Sequence, residues 1–166
     1  MSGLPGTGKS TIAGALAAAL GAVHLRVDVI EQAVVGAGAG SHPLGPVGYE
    51  IAYRLAEDLL RQGLTVVADS VNPLSLTRQA WREVARAAAV DYLDVEVVCS
   101  DPVVHEHRAS GRVADVPGLV LPSWPEILSR EYEPWGRRHR LVLDTTRAGV
   151  AGCVAQLRSA MSGPGP

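Results

Sequence analysis

The chain alternates short apolar runs with longer segments in which apolar residues recur at helical spacing. A short apolar run that ends on a polar residue is typical of a buried parallel strand, and recurrence every three or four residues is typical of an amphipathic helix. Strands that alternate with helices favour an α/β fold with a mainly parallel sheet. We therefore predict strands at 22–27, 64–68, 94–99 and 141–144, and helices at 10–20, 49–61, 73–90, 102–112, 124–132 and 149–161.

The same spacing predicts which face of each longer helix is buried. In the helix at 49–61, the inward residues would be Ile51, Leu55 and Leu59. In the helix at 73–90, they would be Leu76, Ala80, Val84 and Ala87. Two helix ends carry strong local signals: Gly21 stops the first helix, and Asp101 before Pro102 is an N-cap followed by proline at the first helical position.

Two segments are too rich in glycine and proline to be regular. Residues 36–48 contain five glycines and two prolines, and residues 111–123 are interrupted by two further prolines. We expect 36–48 to be a flexible loop that admits a second substrate, and about 108–123 to form a mobile lid. The chain is otherwise expected to form one domain over 1–161, followed by a disordered tail at 162–166.

The strongest chemical signal is the segment GLPGTGKST at 3–11. It fits the pattern G-x-x-x-x-G-K-[ST], in which glycines let the backbone approach a polyphosphate and successive N–H groups point at it. Lys9 would reach the β- and γ-phosphates of ATP, and the hydroxyl of Ser10 would ligate Mg²⁺. The predicted nucleotide-binding residues of this loop are Gly3, Leu4, Pro5, Gly6, Thr7, Gly8, Lys9, Ser10 and Thr11.

The use of long cations along the chain supports this interpretation. Lys9 is the only lysine among 166 residues, against 14 arginines. A compact ammonium and a guanidinium fork are not interchangeable beside a polyphosphate. A lysine at this single position favours a phosphate-binding loop over a glycine-rich turn that merely starts a helix.

Aspartates follow several predicted strands, at the edge of a parallel sheet where ligands collect. Asp69 follows the run 64–68 in the Walker B arrangement, in which a carboxylate holds Mg²⁺ directly or through water; the alternative is an aspartate that caps the next helix. Asp28 is the candidate general base for an acceptor hydroxyl, although an aspartate there also makes a good N-cap. Asp144 ends the last predicted strand.

Arg108 and Arg112 lie four residues apart in the predicted helix before the lid, so they would share one face. One guanidinium could clamp phosphate or stack on the base, and the other could neutralise charge on the transferring group; a solvated helix face is the alternative. The neighbouring His105 and His107 are expected to be exposed polar residues rather than metal ligands.

The sequence leaves the roles of two further sets of residues open. Arg78 and Trp81 could face the acceptor pocket, and Trp81 could equally belong to the core. The basic run at 137–140 fits either nucleic-acid binding or a charged turn before a strand, and no interleaved aromatic residues support base stacking.

Composition narrows the class of protein. The chain is 47% hydrophobic and 19% charged, with a net charge of −2, which is ordinary for a globular protein and gives no overall signature of a nucleic-acid or membrane binder. Its apolar runs are too short to span a bilayer. Cys99 and Cys153 form no CxxC pair, so we expect two core thiols in a reducing cytoplasm. We expect a cytoplasmic monomer or weak homodimer.

Taken together, these motifs resemble a known group of enzymes. GLPGTGKST, the strand-end Asp28, ADSVN at 68–72, the pair Arg108 and Arg112, and LDTT at 143–146 have the order found in small P-loop kinases grouped with AAA-type ATPases, of the polynucleotide-kinase, zeta-toxin and chloramphenicol-phosphotransferase kind. The resemblance covers nearly the whole chain, although only the P-loop is highly specific. It implies a three-layer P-loop NTPase fold with ATP and Mg²⁺ as cofactors.

The resemblance also implies roles for individual residues. Phosphate and Mg²⁺ would contact Lys9 and Ser10, the acceptor hydroxyl would contact Asp28, and the metal would lie beside Asp69. The lid would carry Arg108 and Arg112. The adenine would lie near Arg108 and the loop after Asp144.

The chain departs from this pattern in two places. Only Met1 and Ser2 precede Gly3, where P-loop proteins have a buried strand, so we expect a short Val/Ile/Leu-rich run upstream of Met1. Gln32 stands where polynucleotide kinases tend to place an arginine, which weakens the nucleic-acid interpretation.

The sequence therefore favours an ATP- and Mg²⁺-dependent kinase that acts on a hydroxyl of a small-molecule or nucleotide-like acceptor. One alternative is a switch protein that binds ATP and hydrolyses it slowly, or an inactive truncated relative. Another is a 5′-hydroxyl kinase for nucleic acid.

Overall fold

The computed structural model describes residues 1–136 and 140–162. The predicted helices and strands occur in the predicted order, and one further helix, Val27–Gly36, follows the first strand without having been predicted. The helices are α1 (Lys9–Leu20), α2 (Val27–Gly36), α3 (Val47–Arg61), α4 (Ser75–Ala87), α5 (Pro102–Ser110), α6 (Trp124–Ser129) and α7 (Val150–Ser162). The strands are β1 (Val23–Arg26), β2 (Val66–Asp69), β3 (Val95–Val98) and β4 (Leu141–Asp144).

The described strands pair in parallel, β1 with β2 and β3 with β4. Successive residues of a strand point to opposite faces of a sheet. Val66 and Val67 of β2 accordingly pack in two different core clusters, one with Ala52 and Ala56 of α3, the other with Ile12 of α1. Helices thus cover both faces, and the predicted parallel α/β fold is confirmed.

Residues 1–3 lie between the two strand pairs. Ser2 donates its N–H to the carbonyl of Val95 at 2.8 Å and accepts from the N–H of Val97 at 2.8 Å. On the other side, the backbone nitrogen of Met1 donates to the carbonyl of Ala68 at 2.6 Å. These contacts place the start of the phosphate-binding loop at the centre of the sheet, between β2 and β3.

An apolar cavity of about 210 Å³ lies beside Met1 and Ser2, between β2 and β3. Both faces of the sheet contribute to its wall, through residues that include Leu16, Leu60, Val67, Val84 and Leu157.

The predicted inward face of α3 is wrong. Leu55 is 45% exposed, whereas Ala52 and Ala56 are buried. The small side chains let α3 approach the sheet closely, while the larger Tyr49 and Tyr53 pack at the edge of the same cluster. The buried face of α3 is therefore formed by alanines, and the assumption that its leucines point inward placed that face wrongly.

The predicted inward face of α4 is wrong in part. Val84 is buried as predicted, but Leu76 is 73% exposed while Arg78 and Arg82 are buried. The two guanidinium groups are tolerated there because they have partners. The Arg78 guanidinium lies 4.6 Å from the centre of the Trp135 ring and donates to the carbonyl of Glu133 at 2.9 Å. The Arg82 guanidinium pairs with Asp94 at 2.7 Å.

Trp81 belongs to the core rather than to an acceptor pocket. Its indole N–H donates to the side-chain oxygen of Asn72 at 3.0 Å, and its ring packs edge-on against Tyr53. The other open group, the basic run at 137–140, falls mostly on residues outside the described part of the chain; its last member, Arg140, pairs with Glu96 at 2.5 Å.

The structure also bears on the predictions for the two cysteines, for the C-terminal tail and for membrane-spanning segments. Cys153 is fully buried, but Cys99 is only half-buried and lies just after β3 rather than in the core. The tail expected at 162–166 begins with the last residue of α7, and 163–166 lie outside the described residues. Within 1–136 and 140–162, none of the helices combines the length and the apolar character that crossing a bilayer requires.

Candidate functional site

The segment at 3–11 forms a tight backbone loop that leads from the sheet into α1. Gly6 and Gly8 have φ values of 85° and 89°, in the left-handed region that favours glycine. A side-chain carbon at Gly6 would lie 2.9 Å from the Cβ of Ala109, so α5 packs directly against the loop. Because α1 begins at Lys9, the loop presents a helix N-terminus, which is a favourable place for an anionic phosphate.

His105 holds this loop from the side of α5. The residue is buried, and its Nε2 donates to the carbonyl oxygen of Pro5 at 2.8 Å. Its ring also packs edge-on against Trp124 at 4.9 Å between centres. The expectation that His105 is an exposed polar residue is therefore wrong, whereas His107 is exposed as predicted.

Lys9 and Asp69 form a buried ion pair at 2.5 Å. The other carboxylate oxygen of Asp69 lies 3.1 Å from His24 Nε2. Burial alone would raise the pKa of Asp69, but the hydrogen bond with His24 and the charge and hydrogen bond of Lys9 hold it far below its usual range. Asp69 is therefore a carboxylate at any physiological pH.

The residues predicted for Mg²⁺ meet at this point. Contact from the Ser10 side chain is one of the influences that lower the pKa of Asp69, so the hydroxyl and the carboxylate are neighbours. Hard oxygen ligands of this kind suit Mg²⁺. No cluster of three or more His, Cys, Asp or Glu side chains that could hold a metal ion occurs in the described ranges. The Ser10 hydroxyl and the Asp69 carboxylate therefore fit a Mg²⁺ ion.

Asp28 lies in the first turn of α2, where Arg26 is the N-cap residue, so Asp28 does not cap this helix. It lines a large cavity together with Lys9 and Ser10. Glu31, one turn further along α2, lines the same cavity, and burial, followed by the charge of Asp28, raises its pKa. The candidate base and the candidate phosphate-binding residues thus share one cavity of about 1060 Å³.

Arg108 and Arg112 both line this cavity, but not from one helix face. Helix α5 ends at Ser110 because Gly111 is a poor helix former at the C-cap, so Arg112 belongs to the irregular segment that follows. Arg108 donates to the hydroxyl and carbonyl oxygens of Thr145 at 2.8 and 3.3 Å. The shared-face prediction is wrong, whereas the irregular segment at 111–123 is confirmed.

The loop after β4 is fixed by Asp144. Its carboxylate accepts hydrogen bonds from the hydroxyl of Ser100 at 2.7 Å and from the backbone N–H of Thr146 at 3.1 Å. The Ser100 hydrogen bond is the main reason that the pKa of Asp144 falls to about 2. Thr145, held between these partners, donates to the carbonyl of Thr7 at 2.9 Å. Asp144 itself is not among the cavity-lining residues, and its contact with a nucleotide stays a prediction.

One contact across the cavity has no counterpart in the sequence analysis. Arg26, the last residue of β1, donates to both carboxylate oxygens of Asp115 at 2.6 and 3.1 Å. Asp115 lies in the predicted lid, 89 positions further along the chain. A bidentate pair between residues this far apart leaves no local sequence signal.

Comparison with known proteins places this geometry in a family. A family model described as "AAA domain" matches residues 1–122. The curated "Probable adenylyl-sulfate kinase" of Aeropyrum pernix is 28% identical over 173 residues, which cover 96% of this chain and 88% of that protein.

Solved structures show the same fold over nearly the full length. The APS kinase of Mycobacterium tuberculosis, in complex with AMPPNP and APS, superposes with a TM-score of 0.69 at 17% identity, covering 98% of this chain and 95% of that one. A gluconokinase from Sinorhizobium meliloti 1021 superposes with a TM-score of 0.59 at 20% identity, covering 96% and 92%. The chain therefore belongs to the AAA-domain family, and it has the fold of the small P-loop kinases to which it is similar.

Proposed function

We propose that the chain is an ATP- and Mg²⁺-dependent phosphotransferase that transfers the γ-phosphoryl group to a hydroxyl of a small-molecule or nucleotide-like acceptor. The observation that carries the proposal is that Lys9 and Asp28 line one cavity of about 1060 Å³. This volume lies just above the usual range for ligand sites, about 300–1,000 Å³, so the cavity has room for a nucleotide and a small acceptor together.

The phosphate end of the cavity performs charge neutralisation and positioning. The backbone N–H groups of 3–11 bind the phosphates, and Lys9 exchanges the carboxylate of Asp69 for phosphate oxygens. Ser10 and Asp69 would hold Mg²⁺, and the ion would supply positive charge that neutralises phosphate oxygens. Arg108 and Arg112 add guanidinium groups from the lid side of the cavity.

The acceptor end of the cavity supplies the base. Asp28 accepts the proton of the acceptor hydroxyl and orients its oxygen toward the phosphoryl group. Residues 119–122 of the predicted lid, Leu119 to Pro122, line the same cavity with largely apolar surface. Closing this segment over the site excludes water, which would otherwise compete with the acceptor.

The relatives support a small-molecule acceptor. The mycobacterial neighbour is named as an APS kinase and was solved with AMPPNP and APS, and the Sinorhizobium neighbour is a gluconokinase. These names describe two chemically different acceptors, each of which carries a hydroxyl.

The test is a screen of hydroxyl-containing metabolites for acceptor-dependent release of ADP from ATP and Mg²⁺. We expect one class of acceptor to stimulate release, and Asp28→Asn to lower the stimulated rate by about 10²–10⁴-fold while leaving nucleotide affinity unchanged. Glu50→Gln, an exposed carboxylate on α3, is the matched control and should behave like the wild type. Release that no acceptor stimulates would favour a nucleotide switch, and transfer unaffected by Asp28→Asn would refute the base assignment.

A further inference from the structure

Arg26 lines the cavity close to Lys9 and is not part of the phosphate-binding loop. It is the last residue of β1, and it lines the cavity together with Lys9, Asp28 and Asp115. Its Nε lies 3.9 Å from one carboxylate oxygen of Asp69, and Lys9 Nζ lies 2.5 Å from the other. The guanidinium is therefore a neighbour of the lysine that reaches the β- and γ-phosphates.

The hydrogen bonding of Arg26 is incomplete. Both terminal nitrogens donate to Asp115, but the buried Nε has no hydrogen-bond partner among the described residues. A buried donor without a partner is costly, and native structures usually retain one only where a ligand or water completes it. This donor belongs to a side chain that lines the cavity, and it lies 3.9 Å from the Asp69 carboxylate.

The two members of the ion pair differ in how firmly they are held. The Arg26 side chain is 15% exposed and extends from a strand, whereas the Asp115 side chain is 61% exposed and extends from the irregular segment 111–123. Because Asp115 is exposed and lies on an irregular segment, it is the member of the pair that can move away without disturbing a strand. A carboxylate and a phosphoryl group both present two oxygens to a guanidinium fork, so one can replace the other.

We propose that Arg26 binds the terminal phosphoryl group of the nucleotide, and that Asp115 occupies the same guanidinium as an internal anion when no nucleotide is bound. The inference rests on the proposed function, because it takes the triphosphate to be the ligand of the cavity. Asp115 then competes with the γ-phosphate for Arg26. Binding of ATP then displaces the Asp115 carboxylate from the guanidinium at the end of β1.

Competition makes a prediction that separates ATP from ADP. Removing Asp115 frees Arg26 in advance, so it should strengthen binding of a triphosphate. A diphosphate lacks the phosphoryl group that Arg26 is proposed to bind, so its affinity should not change. Removing Arg26 weakens the triphosphate alone. In the double variant the gain from removing Asp115 disappears, because its competitor is gone.

The experiment is calorimetric titration of Mg·AMPPNP and Mg·ADP into the wild type, Asp115→Asn, Arg26→Gln and the double variant. We expect Asp115→Asn to tighten AMPPNP binding by about two- to fivefold and Arg26→Gln to weaken it by at least about tenfold, with ADP affinity unchanged in both. The matched control is Arg61→Gln, which breaks an exposed pair with Glu57 on α3. Thermal denaturation checks that each variant is folded. If Arg26→Gln does not fold, the affinities of Asp115→Asn and Arg26→Lys for AMPPNP and ADP test the proposal in its place.

Equal effects on AMPPNP and ADP, or weaker AMPPNP binding in Asp115→Asn, would overturn the proposal. A third arm titrates sulfate into the ADP complex: if Asp115→Asn tightens sulfate but not AMPPNP, Arg26 binds an acceptor anion instead, which also overturns it. Failure of the kinase proposal is distinguishable, because these affinities can change as expected even when no acceptor is ever phosphorylated.

Discussion

The Nε2 atom of His105 lies 2.8 Å from the carbonyl oxygen of Pro5, and this hydrogen bond joins α5 to the phosphate-binding loop across 100 positions of sequence. The loop is therefore held from outside as well as by its own glycines. Since α5 also carries Arg108, whose guanidinium bonds to Thr145, one helix positions both the loop and a candidate phosphate ligand. Preorganisation of this kind lowers the cost of ordering the loop when a ligand binds.

We predict that His105→Ala weakens ADP and AMPPNP binding by similar factors, about three- to tenfold. The variant loses one hydrogen bond to the loop and the edge contact with Trp124, together worth about 2 kcal/mol of unfolding free energy. Titration with both nucleotides and thermal denaturation measure these effects. Glu106→Ala, an exposed residue of the same helix that does not line the cavity, is the control. An unchanged affinity in His105→Ala would show that the loop does not need this support.

The buried Asp69 predicts how stability depends on pH. Its folded-state pKa is depressed below the ordinary value of 3.8, so it stabilises the fold above that pH and the contribution is lost as pH falls below about 4. We expect the unfolding free energy of the wild type to fall from pH 5 toward pH 2, and the fall to be shallower in Asp69→Asn. Denaturant unfolding at a series of pH values measures both slopes. Parallel curves for the two proteins would contradict the depressed pKa.

The cavity beside Met1 predicts that an added strand stabilises the chain. An extension of four alternating valine and isoleucine residues before Met1 would run between β2 and β3 and place apolar side chains in both core clusters. Each buried side chain is worth about 1.5–3 kcal/mol, and each kcal/mol raises Tm by about 2–4 °C in a protein of this size. We expect a rise of at least about 5 °C by differential scanning calorimetry. A Gly-Ser extension of equal length is the control, and equal Tm values for the two extensions would refute the prediction.

The buried Arg78 predicts a purely structural effect. Its guanidinium lies near Trp135 and donates to backbone carbonyls that include those of Pro73 and Glu133. Lysine cannot reproduce this planar set of donors, so we expect Arg78→Lys to lower the unfolding free energy by about 2 kcal/mol. Because Arg78 does not line the nucleotide cavity, AMPPNP affinity should stay unchanged. Arg86→Lys, exposed on the same helix, is the control, and equal stability of the two variants would contradict the account.

The sequence predicts the elements well where single residues carry strong local chemistry. Gly21 is the C-cap of α1, and Asp101 caps α5 through hydrogen bonds to the N–H groups of Val103 and Val104. It predicts helix faces poorly, because hydrophobicity alone cannot tell that a short alanine will pack inward beside the sheet. Nor can it tell that Arg78 will be buried, since its stacking partner Trp135 lies far along the chain.

In the candidate site, too, the sequence predicts residues that are close together along the chain and misses pairs that are far apart. Lys9, Ser10 and the loop glycines are contiguous, so a motif finds them. His105 with Pro5, and Arg26 with Asp115, are pairs that only the folded chain brings together. Each member alone is an ordinary residue, and its meaning depends on a partner about 90–100 positions away.

The most direct test of the central claim is calorimetric titration of Mg·AMPPNP into the wild type and into Lys9→Met. Methionine keeps the length of the side chain but removes the ammonium group that bonds to Asp69 and reaches the phosphates. We predict saturable binding to the wild type and a loss of at least about a hundredfold in Lys9→Met, with circular dichroism confirming that the variant is folded. Equal affinity of the two proteins, or no binding to a folded wild type, would contradict the account.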